Sequence, residues 1–167
     1  GMFVQSLKFV QSHQGKSQDI AIYGQELTAT TYKLAKMNLA VRGLSGNFGE
    51  RPADTFFADQ HPDLKVDFIM ANPPFNVDDV TLDAVEKDRR FNTYGVPRNK
   101  TKAKAAGGKD GKEKAVETVP NGNYLWINLF ATSLKDKGRA ALVMANSASD
   151  ARHSEAEIRQ SLIEHNL

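Results

Sequence analysis

FIMANPPFN, residues 68–76, is an apolar run that halts at an asparagine, two prolines and an aromatic ring. Neither proline carries a backbone N–H, so neither can extend a strand ladder. Asn72 precedes the first proline and is therefore held extended. An amide side chain, two carbonyls and the Phe75 ring are thus fixed at the tip of a strand. Such a tip is suited to a flat guest that carries an amino group.

Outward from this stretch, VDFIMA (66–71) is a near-continuous apolar run, the pattern of a parallel strand buried on both faces. RAALVMA (139–145) reads the same way, so Met70 and Met144 are predicted core residues. Residues 3–13 place Phe3, Val4, Leu7 and Val10 at helical spacing. DIAIYG (19–24) reads as a short strand ending in glycine. TATTYKLAKMNLAVRG (28–43) is a helix capped by Thr28 and closed by Gly43, with Leu34, Met37 and Val41 on one face. Residues 44–52 are a loop, and ADTFF (53–57) is a brief edge strand. Residues 76–120 are polar and mostly irregular. NYLWINLFATSLKDKG (123–138) is a helix with Lys135 and Lys137 in its last turn, and Tyr124 and Trp126 pack it on the sheet. In SEAEIRQSLIEHNL (154–167), Ser154 and Glu157 have capping-box spacing, and Ile158 and Leu162 share a face.

Strands alternating with helices predict an α/β fold with parallel pairing. Ligands of such sheets bind at the carboxyl ends of the strands. Asn72-Pro73-Pro74-Phe75 lies at one such end and Gly24-Gln25-Glu26 at another.

The 167 residues are 40% hydrophobic and 25% charged, the composition of an ordinary globular domain. No window is apolar enough to span a membrane, no signal peptide opens the chain, and there is no cysteine, which together fit a cytoplasmic location. His13, His61, His153 and His165 lack metal-ligand spacing, so no metal site is expected. The net charge of +2 is uneven. Residues 98–118 hold seven basic and three acidic side chains, leaving the remainder at −2. This glycine-containing segment reads as a flexible, solvated lysine-rich loop, with phosphate contact as the alternative.

A purine amino group is a poor nucleophile, because its lone pair is delocalised into the ring. Two acceptors that hold both its N–H bonds return density to the nitrogen. The Asn72 side-chain oxygen and the Pro73 carbonyl can be those acceptors, while Phe75 stacks on the base. Stacking of this kind contributes about 1–3 kcal/mol. A base in a duplex must first be flipped out. The same four residues could form a plain strand-ending turn, but a buried strand before them and a long polar loop after them supply the context of a catalytic strand end.

The chain resembles the DNA adenine-N6 methyltransferases that use S-adenosylmethionine, and more narrowly the modification subunits of type I restriction–modification systems. The resemblance is carried by GMFVQS (1–6), IYGQE (22–26), LAKMNLAVRG (34–43), ADTFFADQHPDLKVDFIMANPPFN (53–76), YGVP (94–97), NGNYLWI (121–127) and ALVMANSAS (141–149). It implies that residues 1–167 are a partial methyltransferase catalytic domain with an incomplete Rossmann-like sheet and flanking helices. It implies site-specific, adenine-specific DNA methylation by direct displacement, without a metal. Asn72, Pro73, Pro74 and Phe75 match the clamp for the target adenine. Glu26 matches the acidic residue that accepts from the cofactor's ribose hydroxyls. Asp54, with Asp59 as the alternative, matches the acceptor for its adenine amino group.

The implied partners are double-stranded DNA and the specificity and restriction subunits. The first strand and glycine-rich cofactor turn of the family have no counterpart here, which implies a fragment. The gap this leaves between the second and fourth strands exposes an edge that invites self-association. Two other functions fit the clamp: an inactive piece used in assembly or DNA contact, or methylation of RNA or of a protein glutamine.

Overall fold

The computed structural model describes residues 1–16, 19–78, 80–99 and 117–167. They fall into two compact units, Gly1–Asp63 and Leu64–Leu167. Among the described residues no helix is long and apolar enough to cross a membrane. The predicted lysine-rich loop lies, from residue 100 to 116, outside the described residues.

The first unit has two helices, α1 (Met2–Ser12) and α2 (Ala29–Ala40). On α1 the predicted face holds: Leu7 is buried, and Phe3 and Val4 pack on a core of Ile22, Leu39 and Phe48. Thr28 caps α2 as predicted, accepting from the Thr31 N–H at 3.3 Å. Gly43 takes a left-handed φ of +67° just beyond the helix.

The buried face of α2 is not the predicted one. The helix carries two apolar stripes, and Tyr32, Ala35 and Leu39 turn inward, while Leu34, Met37 and Val41 are exposed. Tyr32 contributes to this choice, because its hydroxyl reaches the Gly49 carbonyl at 2.8 Å.

Two predicted strands are absent from this unit. The run 19–24 makes only a single parallel bridge, Tyr23 with Asn47, flanked by bonds from Gly24 N–H to Asn47 O and from Asn47 N–H to Ile22 O. The run 53–57 is a turn. The Asp54 carboxylate takes the Phe56 N–H at 2.8 Å, giving the backbone a local partner in place of a ladder.

The second unit begins with β1 (Val66–Ala71), followed by two short helices, α3 (Leu82–Val85) and α4 (Arg89–Asn92). Then come α5 (Asn123–Ser133), β2 (Leu134–Leu142), α6 (Asn146–Ser149) and α7 (Ser154–Glu164). β1 and β2 pair in parallel, as predicted. Their register is regular from Phe68–Arg139 to Ala71–Leu142, and an irregularity before it takes up the start of β2.

The helix predicted over 123–138 therefore stops at Ser133. Thr132 and Ser133 turn their hydroxyls back onto the carbonyls of Asn128 and Leu129, which weakens the last turn, and Leu134 is extended. Lys135 instead pairs with Asp67 across the strands at 2.9 Å.

Among the described residues between 76 and 120, Val80, Leu82, Val85, Phe91 and Val119 are buried, so this stretch is not simply a polar surface loop. α5 lies among them. Its buried Asn128 donates to the carbonyls of Phe91 and Gly95 at 2.8 and 2.7 Å, fixing the turn after α4. Tyr124 packs against Ile158 and Leu162 of α7, rather than on the sheet. Ile158 and Leu162 are buried as predicted, but Ser154 is not the cap. Its hydroxyl exchanges bonds with the Arg98 backbone, and His153, at φ +56°, precedes the helix.

β1 is also less enclosed than its sequence implies, with Phe68 74% and Met70 51% exposed. An apolar run shows that a strand is fit for burial; the layers of this unit lie elsewhere. The contrast gives a test. Phe91→Ala, at a fully buried ring, lowers stability by about 3–5 kcal/mol. Phe68→Ala changes it by less than about 0.5 kcal/mol. Urea unfolding followed by Trp126 fluorescence measures both.

Candidate functional site

The candidate residues fall into two groups, Glu26 and Asp54 in the first unit and Asn72 to Phe75 in the second.

In the first unit a single side chain organises the group. Gln25 Nε2 donates to the carbonyls of Ala53 (3.1 Å) and Ala58 (3.0 Å), and its Oε1 accepts from the Gln60 N–H at 3.0 Å. His61 Nε2 donates to the Gly24 carbonyl at 2.8 Å, and the Ala53 N–H donates to the Glu26 carbonyl at 2.9 Å. The 53–61 loop is therefore laced to the Gly24-Gln25-Glu26 segment, and Asp54 follows the residue bonded to Glu26.

Glu26 is half-buried, and its carboxylate makes no hydrogen bond among the described residues. Asp54 commits Oδ1 to the Phe56 N–H, and Asp59 uses Oδ1 the same way on the His61 N–H. Carboxylates are acceptors only, so Glu26 and Asp54 suit a guest that presents hydroxyl or amino donors. Gln25 was not singled out from the sequence. Its signal was the quoted Gly-Gln-Glu after the predicted strand, in which the acid drew the attention.

In the second unit, the last ladder bond runs from the Val143 N–H to the Ala71 carbonyl at 3.0 Å. Asn72 is exposed and makes no side-chain bond among the described residues. Pro73 is buried, Pro74 is exposed, and the Phe75 ring is 45% exposed. An amide and an aromatic ring are thus both exposed just past the carboxyl end of β1.

Asn76 then takes a left-handed φ of +53°. Its N–H donates to Asn123 Oδ1, and Asn123 Nδ2 donates back to Asn76 Oδ1, both at 3.0 Å. Ser147 Oγ, in α6, lies 3.4 Å from both Asn76 Oδ1 and Asn123 Nδ2. The Gly122 N–H holds the Val77 carbonyl at 2.6 Å. These ties were missed in the sequence, although a polar residue opening the apolar run NYLWINLF was visible.

The network continues outward. The Asn123 N–H donates to Asn121 Oδ1, and Asn121 Nδ2 donates to Glu155 at 3.1 Å. Burial pushes the Glu155 carboxyl above its ordinary range, against the pull of the Asn121 bond. Burial likewise raises the Tyr124 phenol, whose hydroxyl donates to the Ala148 carbonyl at 3.0 Å. On α4 the balance is reversed. Burial of Asp88 raises its pKa, but the bonds and charge of Arg90 outweigh that and leave it lowered.

Comparison with known proteins places these groups in context. The family model described as N-6 DNA Methylase matches residues 1–167. The chain is 38% identical over 168 residues to the type I restriction enzyme HindI methylase subunit of Haemophilus influenzae, a match covering all of this chain and 33% of that protein. It is 33% identical over 169 residues to the type I restriction enzyme MjaIX methylase subunit of Methanocaldococcus jannaschii, covering all of this chain and 27% of that protein. The chain thus spans about a third or less of the length of these curated relatives.

Two outcomes follow from the geometry. Gln25→Ala strands two carbonyls and one N–H, so it speeds hydrogen exchange at the Gln60 amide and lowers stability by about 1–3 kcal/mol in thermal melts. Glu155 binds its proton more tightly when folded, so its favourable contribution is complete below the ordinary glutamate range and is lost as pH rises through its raised value. Glu155→Gln, which keeps an acceptor for Asn121, is therefore more stable than the parent at neutral pH. It also has a flatter stability profile across that window, as urea unfolding at successive pH values measures.

Proposed function

We propose, because the chain belongs to the N-6 DNA methylase family, that its parent protein transfers a methyl group from S-adenosylmethionine to adenine N6 in duplex DNA, as the modification subunit of a type I restriction–modification system. One observation carries this reading. Asn72-Pro73-Pro74-Phe75 closes a parallel strand at its carboxyl end, with the amide and the ring presented outward. On this reading β1 and β2 are the fourth and fifth strands of a Rossmann-like methyltransferase sheet.

In the proposed roles, the Asn72 side-chain oxygen and the Pro73 carbonyl accept the two N–H bonds of the flipped adenine. That pairing draws the amino nitrogen out of conjugation with the ring. Phe75 stacks on the base, and Pro74 stiffens the turn between them. Glu26 accepts from the ribose hydroxyls of the cofactor, and Asp54 accepts from its adenine amino group. Both carboxylates fit those donors, since the Glu26 carboxylate and Asp54 Oδ2 make no other bond among the described residues. When bound, the cofactor supplies an electrophilic methyl group.

The proposed partners are double-stranded DNA, a specificity subunit that reads the sequence, and a restriction subunit. Both relatives are methylase subunits of type I restriction enzymes, which supports this setting.

The test uses the complete parent protein with its subunits, labelled cofactor and unmethylated DNA. Asn72→Ala is expected to lower turnover by about 100-fold or more, with cofactor affinity changed less than about twofold, because the amide meets the target and not the cofactor. Full turnover in this variant would overturn the clamp. Label recovered at any position other than adenine N6 would overturn the reaction.

A further inference from the structure

We propose that Asn123 is a positioning residue for the adenine clamp and acts through Asn76; the inference rests on the function proposed above. The clamp cannot secure itself. Pro73 and Pro74 have no N–H to bond, and the β1–β2 ladder ends at the Ala71 carbonyl. The next fixed point is Asn76, one residue past Phe75. There the chain reverses through a left-handed φ, which asparagine tolerates better than most residues.

Asn123 is 1% exposed, at the first position of α5. Its orientation is dictated by chemistry, because the Asn76 N–H can only donate. The facing atom is therefore the Asn123 oxygen, and Asn123 Nδ2 is left to meet Asn76 Oδ1. Two bonds act as a rigid fork on a residue adjoining Phe75. Ser147, reached by Asn123 Nδ2 and Asn76 Oδ1, adds a third point from beyond β2. With the ladder fixing Ala71 and the fork fixing Asn76, the four clamp residues are pinned at both ends. Releasing one end lets the Phe75 ring and the Asn72 amide wander, and misplacement by about 1 Å can cost about 100-fold in rate.

The experiment measures kcat and cofactor Kd in the complete parent protein, for substitutions chosen to separate positioning from folding. Asn123→Ala removes both bonds of the fork. Asn76→Gly keeps the left-handed backbone and loses the side-chain acceptor, at an exposed position where folding is tolerant. Asn76→Asp keeps both the backbone tolerance and the acceptor. The expected result is a fall in kcat of about 10- to 100-fold for Asn123→Ala and Asn76→Gly, with cofactor Kd within about twofold, and near-parental kcat for Asn76→Asp. Hydrogen exchange at the Asn76 amide speeds up in Asn123→Ala. If Asn123→Ala does not fold, Asn76→Gly decides alone. Parental kcat in a folded Asn123→Ala or in Asn76→Gly, or equal losses in Asn76→Gly and Asn76→Asp, would overturn the inference. Absence of adenine methylation in the unsubstituted protein would instead overturn the function on which it rests.

Discussion

Two consecutive residues without N–H groups cannot be held by the backbone pairing that holds a strand. Pro73 and Pro74 impose this constraint immediately after Ala71, whose carbonyl takes the last bond from β2. Just beyond them, side chains join the Gly122 N–H, which holds the Val77 carbonyl, in setting the course of the chain. Asn76 and Asn123 supply the fixed point, and α5 carries Asn123 because Asn128 and Tyr124 seat that helix against its neighbours. The bonds of Asn76, Asn123 and Ser147 thus converge on the same short turn. On the proposed assignment, the surroundings of the clamp supply what its own backbone lacks.

The first unit solves a related problem with one amide. Gln25 bonds two carbonyls and one N–H of a loop that forms no strand. Asp54 and Asp59 stabilise the same loop locally, each taking an N–H two residues on. These carboxylates are held by the backbone they follow, so their positions are set by turn geometry and not by a sheet.

Elements whose residues serve one purpose were legible in the sequence. α1 has one apolar face, Thr28 has one hydroxyl in capping position, and VDFIMA has one reading as a strand. Where residues could serve two purposes, the pattern was insufficient. α2 has two apolar stripes, and the reach of Tyr32 to Gly49 helps to distinguish them. Ser154 could cap its own helix, but bonds Arg98 instead. Thr132 and Ser133 fit a helix by spacing and end it through their hydroxyls. In the candidate site, the residues that present groups outward were visible as a motif. Those that hold them, Gln25, Asn76 and Asn123, were not, because a lone amide has no periodicity to announce it.

The Ala-Asp dipeptide occurs twice in the 53–61 loop, and Gln25 grips the carbonyl of each alanine. The two aspartates therefore make the same contact with the N–H two residues on, five residues apart. Such a duplication leaves the loop a second carboxylate with the same local contact if the first is lost. On the proposed assignment, a substitution at Asp54 alone understates what the loop contributes. The loop's contribution emerges only from the pair of substitutions compared with each one singly, as an interaction energy between two sites that look redundant in sequence.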